Sequence, residues 1–511
     1  MEKKKRNILV ITVLLIGVVA IIGVSYALWS LNLIQTGQND IVSSCFNITF
    51  TDKNNISLQK AYPIIDEDGK KLTPYEFTIT NTCDSYASFN VNLEVLNTTT
   101  LTNNDAVKVM ISSKTGDTET EINTNLLSSY QTATKTLDNA QTALNLTTGY
   151  LNAKESKTYT LRLWIDENVG MNTEGVQNAK FSSKVVVTTS YIEEIPKSAS
   201  ETIASLVSGA DSTSTGVYTV PDKTSDSCTY TLAYDGTSDN NLRYVGANPC
   251  NYLTFNGEKA RWRIIGILNT PEGQRMKLIR TDSLGKYSWD NKAGGTGSST
   301  SSYGSNDWTD STLKEVLNNG AYYNKTSGTC PYGQNGATTS CDFTSNGLTE
   351  AAKNQIDTIT WQLGGTSYDN ASNGLASHWY TYERGTTVYT GRPTEWQGKV
   401  GLMYPSDYGY ATSGGTSMNR AGCLAKELYN WDSSSYSDCK NNDWLYNSSI
   451  YQWTLAPFSS NSNFVFGVNA DGNVSNNNAT SRGAVQPSVY LISKTSILGG
   501  EGTQENPYEI G

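Results

Sequence analysis

Histidine is almost missing from this chain: one residue, His378, stands among 511. Imidazole acid–base chemistry therefore has a single candidate, and a His-rich metal site has none. Proline (12) and methionine (6) are also sparse, and charged residues make up only 17%. So low a charge excludes a disordered polyelectrolyte, and a hydrophobic fraction of 37% leaves Ser, Thr, Asn and Gly to cover the surface. No C-x-x-C pair occurs, so thiolate zinc sites and dithiol redox motifs lack their signature. Basic clusters are lacking too, apart from Lys3, Lys4, Lys5 and Arg6. The formal charge is -10, and without these four bases and Glu2 it is 34 basic against 47 acidic side chains, or -13. Such a body repels nucleic acid.

What is present begins behind that basic cluster. An apolar run extends from Ile8 to Val24, and a basic stretch ahead of such a run directs the remaining polypeptide across a membrane. The body is expected outside the cell. Two fates stay open for the leader, residues 1–30. Ser25 and Ala27 offer the small residues a signal peptidase reads, giving release after Ala27; alternatively Tyr26, Leu28 and Trp29 extend the segment into a single-pass anchor over residues 8–29.

Eight cysteines suit an exported chain. They fall into sequential couples, predicting Cys45 with Cys83, Cys228 with Cys250, Cys330 with Cys341, and Cys423 with Cys439.

Length argues for two or three domains. From Cys45 to Ile192 the text predicts an antiparallel β-sandwich, domain 31–195, with strands Phe46 to Thr51, Tyr75 to Thr80, Ala87 to Val95, Ala106 to Ile111, Thr158 to Trp164 and Lys180 to Tyr191. Several alternate apolar with polar, as half-buried strands do. Asn97 to Asn104 and Thr115 to Thr124 read as loops, and Asp138 to Leu146 weakly as helix. Glu193-Glu194-Ile195-Pro196 ends the last strand, and 196–216 is expected to link, with a short amphipathic stretch at Ser198 to Val207. A second domain, 217–511, is expected to be α+β. Asn256-Gly257 predicts a type I′ turn into the strand Ala260 to Leu268, with Met276 to Thr281 returning. Helices are expected at Ser311 to Leu317, with Thr309 or Asp310 as cap, at Thr349 to Ile356, and at Ala421 to Trp431. Long Gly/Ser/Asn loops between them need stapling, which the cysteines supply.

Two resemblances follow. Gly23-Val24-Ser25-Tyr26-Ala27-Leu28-Trp29-Ser30 and Tyr75-Glu76-Phe77-Thr78-Ile79-Thr80-Asn81 resemble the export signal and jelly-roll sandwich of the TasA and camelysin group of Firmicutes, across residues 1 to about 195. That resemblance implies fibre assembly; the residues for camelysin-type peptidase activity are not found. Trp262-Arg263-Ile264-Ile265-Gly266, Gly401 to Tyr410, Asn442-Asp443-Trp444-Leu445, Trp453 to Pro457 and Val485 to Leu491 resemble an uncharacterised domain of surface proteins in gut Firmicutes and relatives of Mollicutes. More distantly, this layout is similar to the C-type-lectin-like and formylglycine-generating-enzyme fold.

Three sites are candidates. Nine of the eleven tryptophans lie in the second domain. Trp289, Trp308, Trp379, Trp396 and Trp444 occupy polar contexts where a flat ring could stack on a sugar, while Trp262 and Trp453 read as core; packing is the alternative for each. Asn469, Asp471 and Asn473 offer oxygen ligands to calcium, the one cofactor considered, with Asp443 added by analogy with the fold. Asp471-Gly472 is also an ordinary hairpin turn, and the EPN-like tripeptide of calcium-dependent lectins is absent. His378 beside Glu383 and Arg384 could form an acid–base pair, but no nucleophile signature accompanies it. The expectation is a non-catalytic surface protein that binds a glycan or protein ligand. A self-assembling fibre subunit is the alternative, and a hydrolase the least supported.

Overall fold

The computed structural model describes residues 30–34, 46–50, 56–58, 62–170, 176, 179–208, 210, 212–213, 216–220, 225–292 and 304–511. The expected membrane segment, 8–29, and Cys45 lie outside them. Among the described residues no helix is long and apolar enough to cross a membrane. The chain is mainly β and divides into two compact units, Met1–Pro196 and Lys197–Gly511.

Period-two patterning builds unit 1. One sheet runs in the order Ser30–Ile34, Phe181–Ile192, Tyr86–Leu96, Ala140–Leu151, Gln131–Ala133; the other runs Phe46–Phe50, Tyr75–Asn81, Ser156–Asp166, Val107–Thr115, Thr118–Leu126. Alternate residues point to one side, so Phe77, Ile79, Val109 and Leu161 of one sheet meet Phe89, Val91, Leu144 and Val185 of the other in a single core. Tyr159 stacks on Phe77 at 5.6 Å and meets Phe89 edge-on at 5.9 Å, joining the layers.

Two expectations are corrected here. Thr118–Leu126 is an edge strand, not a loop. None of its side chains is fully buried, so it shows no apolar alternation, and Glu119 and Glu121 instead pair with Arg162 and Lys70. The stretch Asp138 to Leu146 enters the strand Ala140–Leu151 rather than a helix, because Leu144 and Leu146 are both drawn into the core around a register shift.

Unit 2 holds a ten-stranded and a five-stranded sheet. The strand Glu258–Thr270 is central to the larger, flanked by Leu242–Tyr244, Tyr252–Phe255 and Gly273–Arg280. Asn256 (φ 59°) and Gly257 (φ 72°) both take the left-handed backbone that a type I′ turn demands. Its core collects Trp262, Trp289, Trp308, Trp361, Trp379, Trp431 and Trp453.

The helices are short. Thr312–Asn318 is capped by Ser311 rather than Thr309 or Asp310, and Thr349 caps Glu350–Gln355. Ala421 to Trp431 does not form one helix. Arg420–Leu424 ends early, and a 3-10 turn at Leu428–Asn430 follows, because Leu428 is buried in the core and its N–H bonds to Gly374 O. Within the segment expected to link, Ser198 and Glu201 form a capping box for the helix Ala199–Ser205. That segment puts Ala199, Ile203 and Val207 into the core of unit 2.

Disulfides join Cys228 to Cys250, Cys330 to Cys341 and Cys423 to Cys439, as sequence spacing predicts. Cys83 is also disulfide-bonded.

Candidate functional site

A cleft of about 560 Å³ opens in unit 2. Strand register assembles it: Arg263 lies opposite Tyr252 on one side and Ile279 on the other, and Arg280 pairs with Trp262. Lys259, Arg261 and Arg263 alternate along the same strand and all line the cleft, with Trp444 and Tyr446 across from them.

Arg263 is the centre of the site. Only 6% exposed, its guanidinium lies 4.2 Å from the Tyr252 ring and 4.5 Å from the Trp444 ring. Its Nε donates to Asn251 Oδ1 (2.6 Å), and Nη2 donates to Asn248 Oδ1 (3.1 Å) and Pro249 O (2.8 Å). All three acceptors are neutral. Burial brings its pKa down to about 10, so it stays charged at neutral pH. Trp444 is held in turn by its Nε1–H on Tyr244 O at 3.0 Å. Arg280 is neutralised by Glu258 at 2.8 Å and Arg261 by Asp282.

Of the five candidate tryptophans, Trp444 alone lines this cleft. Trp289 (0%), Trp308 (2%) and Trp379 (0%) are core residues and present no face to a ligand, which corrects their assignment as binding residues. Trp289 and Trp308 pack together at 5.1 Å, and Trp379 packs on Phe466 at 4.8 Å. Polar neighbours in sequence had hidden apolar neighbours in space. Trp396 is half-buried and meets Trp308 edge-on at 6.0 Å. The alternation of Lys259, Arg261 and Arg263, which period two places on one face, is the sequence signal for Arg263 as a ligand-binding residue, whereas Tyr252 joins it only through strand pairing.

Asn469 to Asn473 turns the hairpin Phe464–Val468/Val474–Asn478. Several of its groups are engaged by the protein: Asn469 Nδ2 donates to Asn473 Oδ1 at 2.6 Å, and the carbonyls of Ala470, Asp471 and Gly472 accept from Tyr446, Lys440 and Tyr408. Asp443 is buried, and burial pushes its carboxyl well above the usual carboxylate range, toward the neutral acid. Among the described residues no group of three or more His, Cys, Asp or Glu is placed to hold a metal.

His378 and Glu383 are not brought together. The ring of His378 is exposed and lies 3.3 Å from Asn373 O, whereas Glu383 is buried and accepts from Ser406 N (2.8 Å) and Ser406 Oγ (2.5 Å). Near Glu383 runs an ionic chain with no solvent access to speak of. Arg243 joins Asp235 and Asp407 at 2.9 Å each, and Lys277 reaches Asp407 at 2.5 Å beneath the ring of Tyr404. Burial brings Lys277 down to about 8; burial would lift Asp407, but Lys277 and Arg243 outweigh it and hold that carboxylate below its ordinary range.

No family model and no curated protein matches the chain. Among solved structures it is similar to "Crystal structure of infectious bursal disease virus VP2 subviral particle", with 10% identity and a TM-score of 0.13. The match covers 32% of this chain and 42% of that one, less than half the length of either, and carries no inference about fold or function.

Proposed function

We propose that the chain is a bacterial cell-surface protein, tethered through residues 8–29 or released after Ala27, whose C-terminal unit is a non-catalytic, adhesion-type binding domain carried by a β-sandwich. The cleft around Arg263 is the observation that supports this reading. Tyr252, Trp444 and Tyr446 supply ring surface, and Asn447 Nδ2 and the Gln504 amide make no hydrogen bond among the described residues. Rings beside open amides suit a saccharide, whose faces are apolar and whose edges are hydroxyls. Cations, rings and amides gathered without a nucleophile–base pair favour binding over hydrolysis. Short helices and disulfide-stapled loops support a C-type-lectin-like layout for this unit. Charge on the edge strand Thr118–Leu126 counts against fibre growth by strand addition there, since charged edges resist pairing.

The test is a glycan array probed with the full chain and with Tyr252→Ala. Binding is expected for the parent chain and about tenfold weaker binding for the variant, the cost of roughly one lost ring contact. Equal binding by both would remove the cleft from the reading.

A further inference from the structure

The charge of the cleft runs opposite to that of the chain. On a chain of formal charge -10, Lys259, Arg261, Arg263 and Arg280 line one cleft in which Asp282 is the lone carboxylate. Asp282 is occupied by Arg261, and Glu258 by Arg280. Lys259 and Arg263 have no carboxylate partner among the described residues.

Arg263 carries the argument. Its Nε and Nη2 are used by Asn251, Asn248 and Pro249, while Nη1 makes no hydrogen bond among the described residues and is not sealed from solvent. A guanidinium this deeply buried ordinarily has a carboxylate beside it, because an uncompensated buried charge costs several kcal/mol. Here two rings and three neutral acceptors fix its plane and leave Nη1 free to donate. A charged donor nitrogen left open suits an oxygen of a carboxylate or sulfate, to which it makes a charge-assisted hydrogen bond. The volume, about 560 Å³, falls within the range of small-ligand pockets, roughly 300 to 1,000 Å³.

Resting on the binding reading above, we propose that this cleft recognises an acidic saccharide, with Arg263 Nη1 taking its carboxylate or sulfate, Lys259 adding a second cation, and Asn447 and Gln504 serving the ring hydroxyls. The anion completes the coordination of a buried cation that the fold leaves open.

Calorimetric titration of the full chain at about 0.15 M salt tests this with four probes: a glucuronate-bearing disaccharide, a sulfated disaccharide, their uncharged counterpart, and a glutamate-rich peptide. The charged disaccharides are expected to bind at least about tenfold more tightly than the uncharged one, the scale of one charge-assisted hydrogen bond; which of the two binds better tells carboxylate from sulfate. Lys259→Ala, at an exposed position, should weaken the charged probes more than the uncharged one and so narrow the preference. Arg263→Gln should abolish the preference, with circular dichroism confirming that the variant is folded; if it does not fold, Lys259→Ala decides. Equal affinity for charged and uncharged disaccharides, with sensitivity to Tyr252→Ala, would overturn the anion assignment and leave the binding cleft standing. Tighter binding of the peptide would overturn the saccharide. No binding of any probe would overturn both readings.

Discussion

Glu383 shows that sequence neighbours reveal only part of a residue's chemistry. His378 and Arg384 flank it in the chain, but five positions along a helix turn two side chains roughly 140° apart. Its partners are Arg384, whose Nη1 lies 3.3 Å from Glu383 Oε2, and Ser406, from a different helix, Pro405–Tyr410, which donates through N and Oγ. Burial is the main influence on Glu383 and lifts it from 4.5 to about 7 against the opposing pull of Arg384. A native state that binds the proton more tightly than the unfolded chain gains stability from it below pH 4.5 and loses that gain as the pH climbs through about 7. The shift corresponds to roughly 3 kcal/mol between the two limits. Glu383→Gln should therefore flatten the fall in urea-unfolding free energy between about pH 4.5 and 7, and an unchanged slope in the variant would contradict this. Lys277 acts in a separate window: lowered to about 8 by burial, it contributes only above that pH. The same limit explains the tryptophans. Trp262 and Trp453 could be read as core from their apolar neighbours, whereas Trp289, Trp308 and Trp379 are surrounded by polar sequence and reach the core only through contacts distant in the chain.

Elements were legible where the apolar positions keep a regular period, and not in Ala140–Leu151, whose register shifts break it. The strand Tyr75–Asn81 and the first half of Tyr86–Leu96 announce themselves because core and outer positions exchange from one residue to the next. The edge strand Thr118–Leu126 did not, since pairing through its backbone needs no apolar side chain. Cysteine couples were legible for a related reason: closing a short loop is local, and locality is what a sequence displays. The turn at Asn256 combines a local and a distant role. Its left-handed backbone was expected, but its side chain also donates to Gly347 O at 3.0 Å and accepts from Thr349 N at 2.8 Å, tying the hairpin to the start of the helix Glu350–Gln355. Asn256→Gly keeps the backbone and removes both bonds, so it should cost about 2 kcal/mol, near 1 per hydrogen bond. Asn256→Ala adds the left-handed strain of an L-residue, about 1 kcal/mol more. Guanidinium denaturation of the two variants checks the order; a Gly variant as stable as the parent would show that the turn matters only through its backbone.

For the whole molecule, each unit contains the means to hold itself together. Phe77, Phe89, Leu161 and Val185 belong to a core made wholly from residues before Pro196, and Ile203, Trp262, Leu455 and Tyr508 to a core made wholly from residues after Lys197. Glu193, Glu194, Pro196 and Lys197 are exposed and outside any helix or strand. Acidic residues and a proline marked that break in the sequence. The amphipathic stretch after it was equally visible, but an apolar stripe does not say which core it will cover; Ala199, Ile203 and Val207 recur at helical spacing and cover the core of unit 2. Exposed backbone without hydrogen-bonded structure is where a protease gains access. Limited digestion with trypsin is therefore expected to cut early after Lys197, sparing Ser198 as the cap of its helix. Because each unit buries its own core, both fragments should retain their near-ultraviolet circular dichroism, and mass spectrometry should find them ending at Lys197 and beginning at Ser198. Loss of tertiary signal from either fragment once the cut is made would mean that its core depends on the other, and that neither unit is a domain.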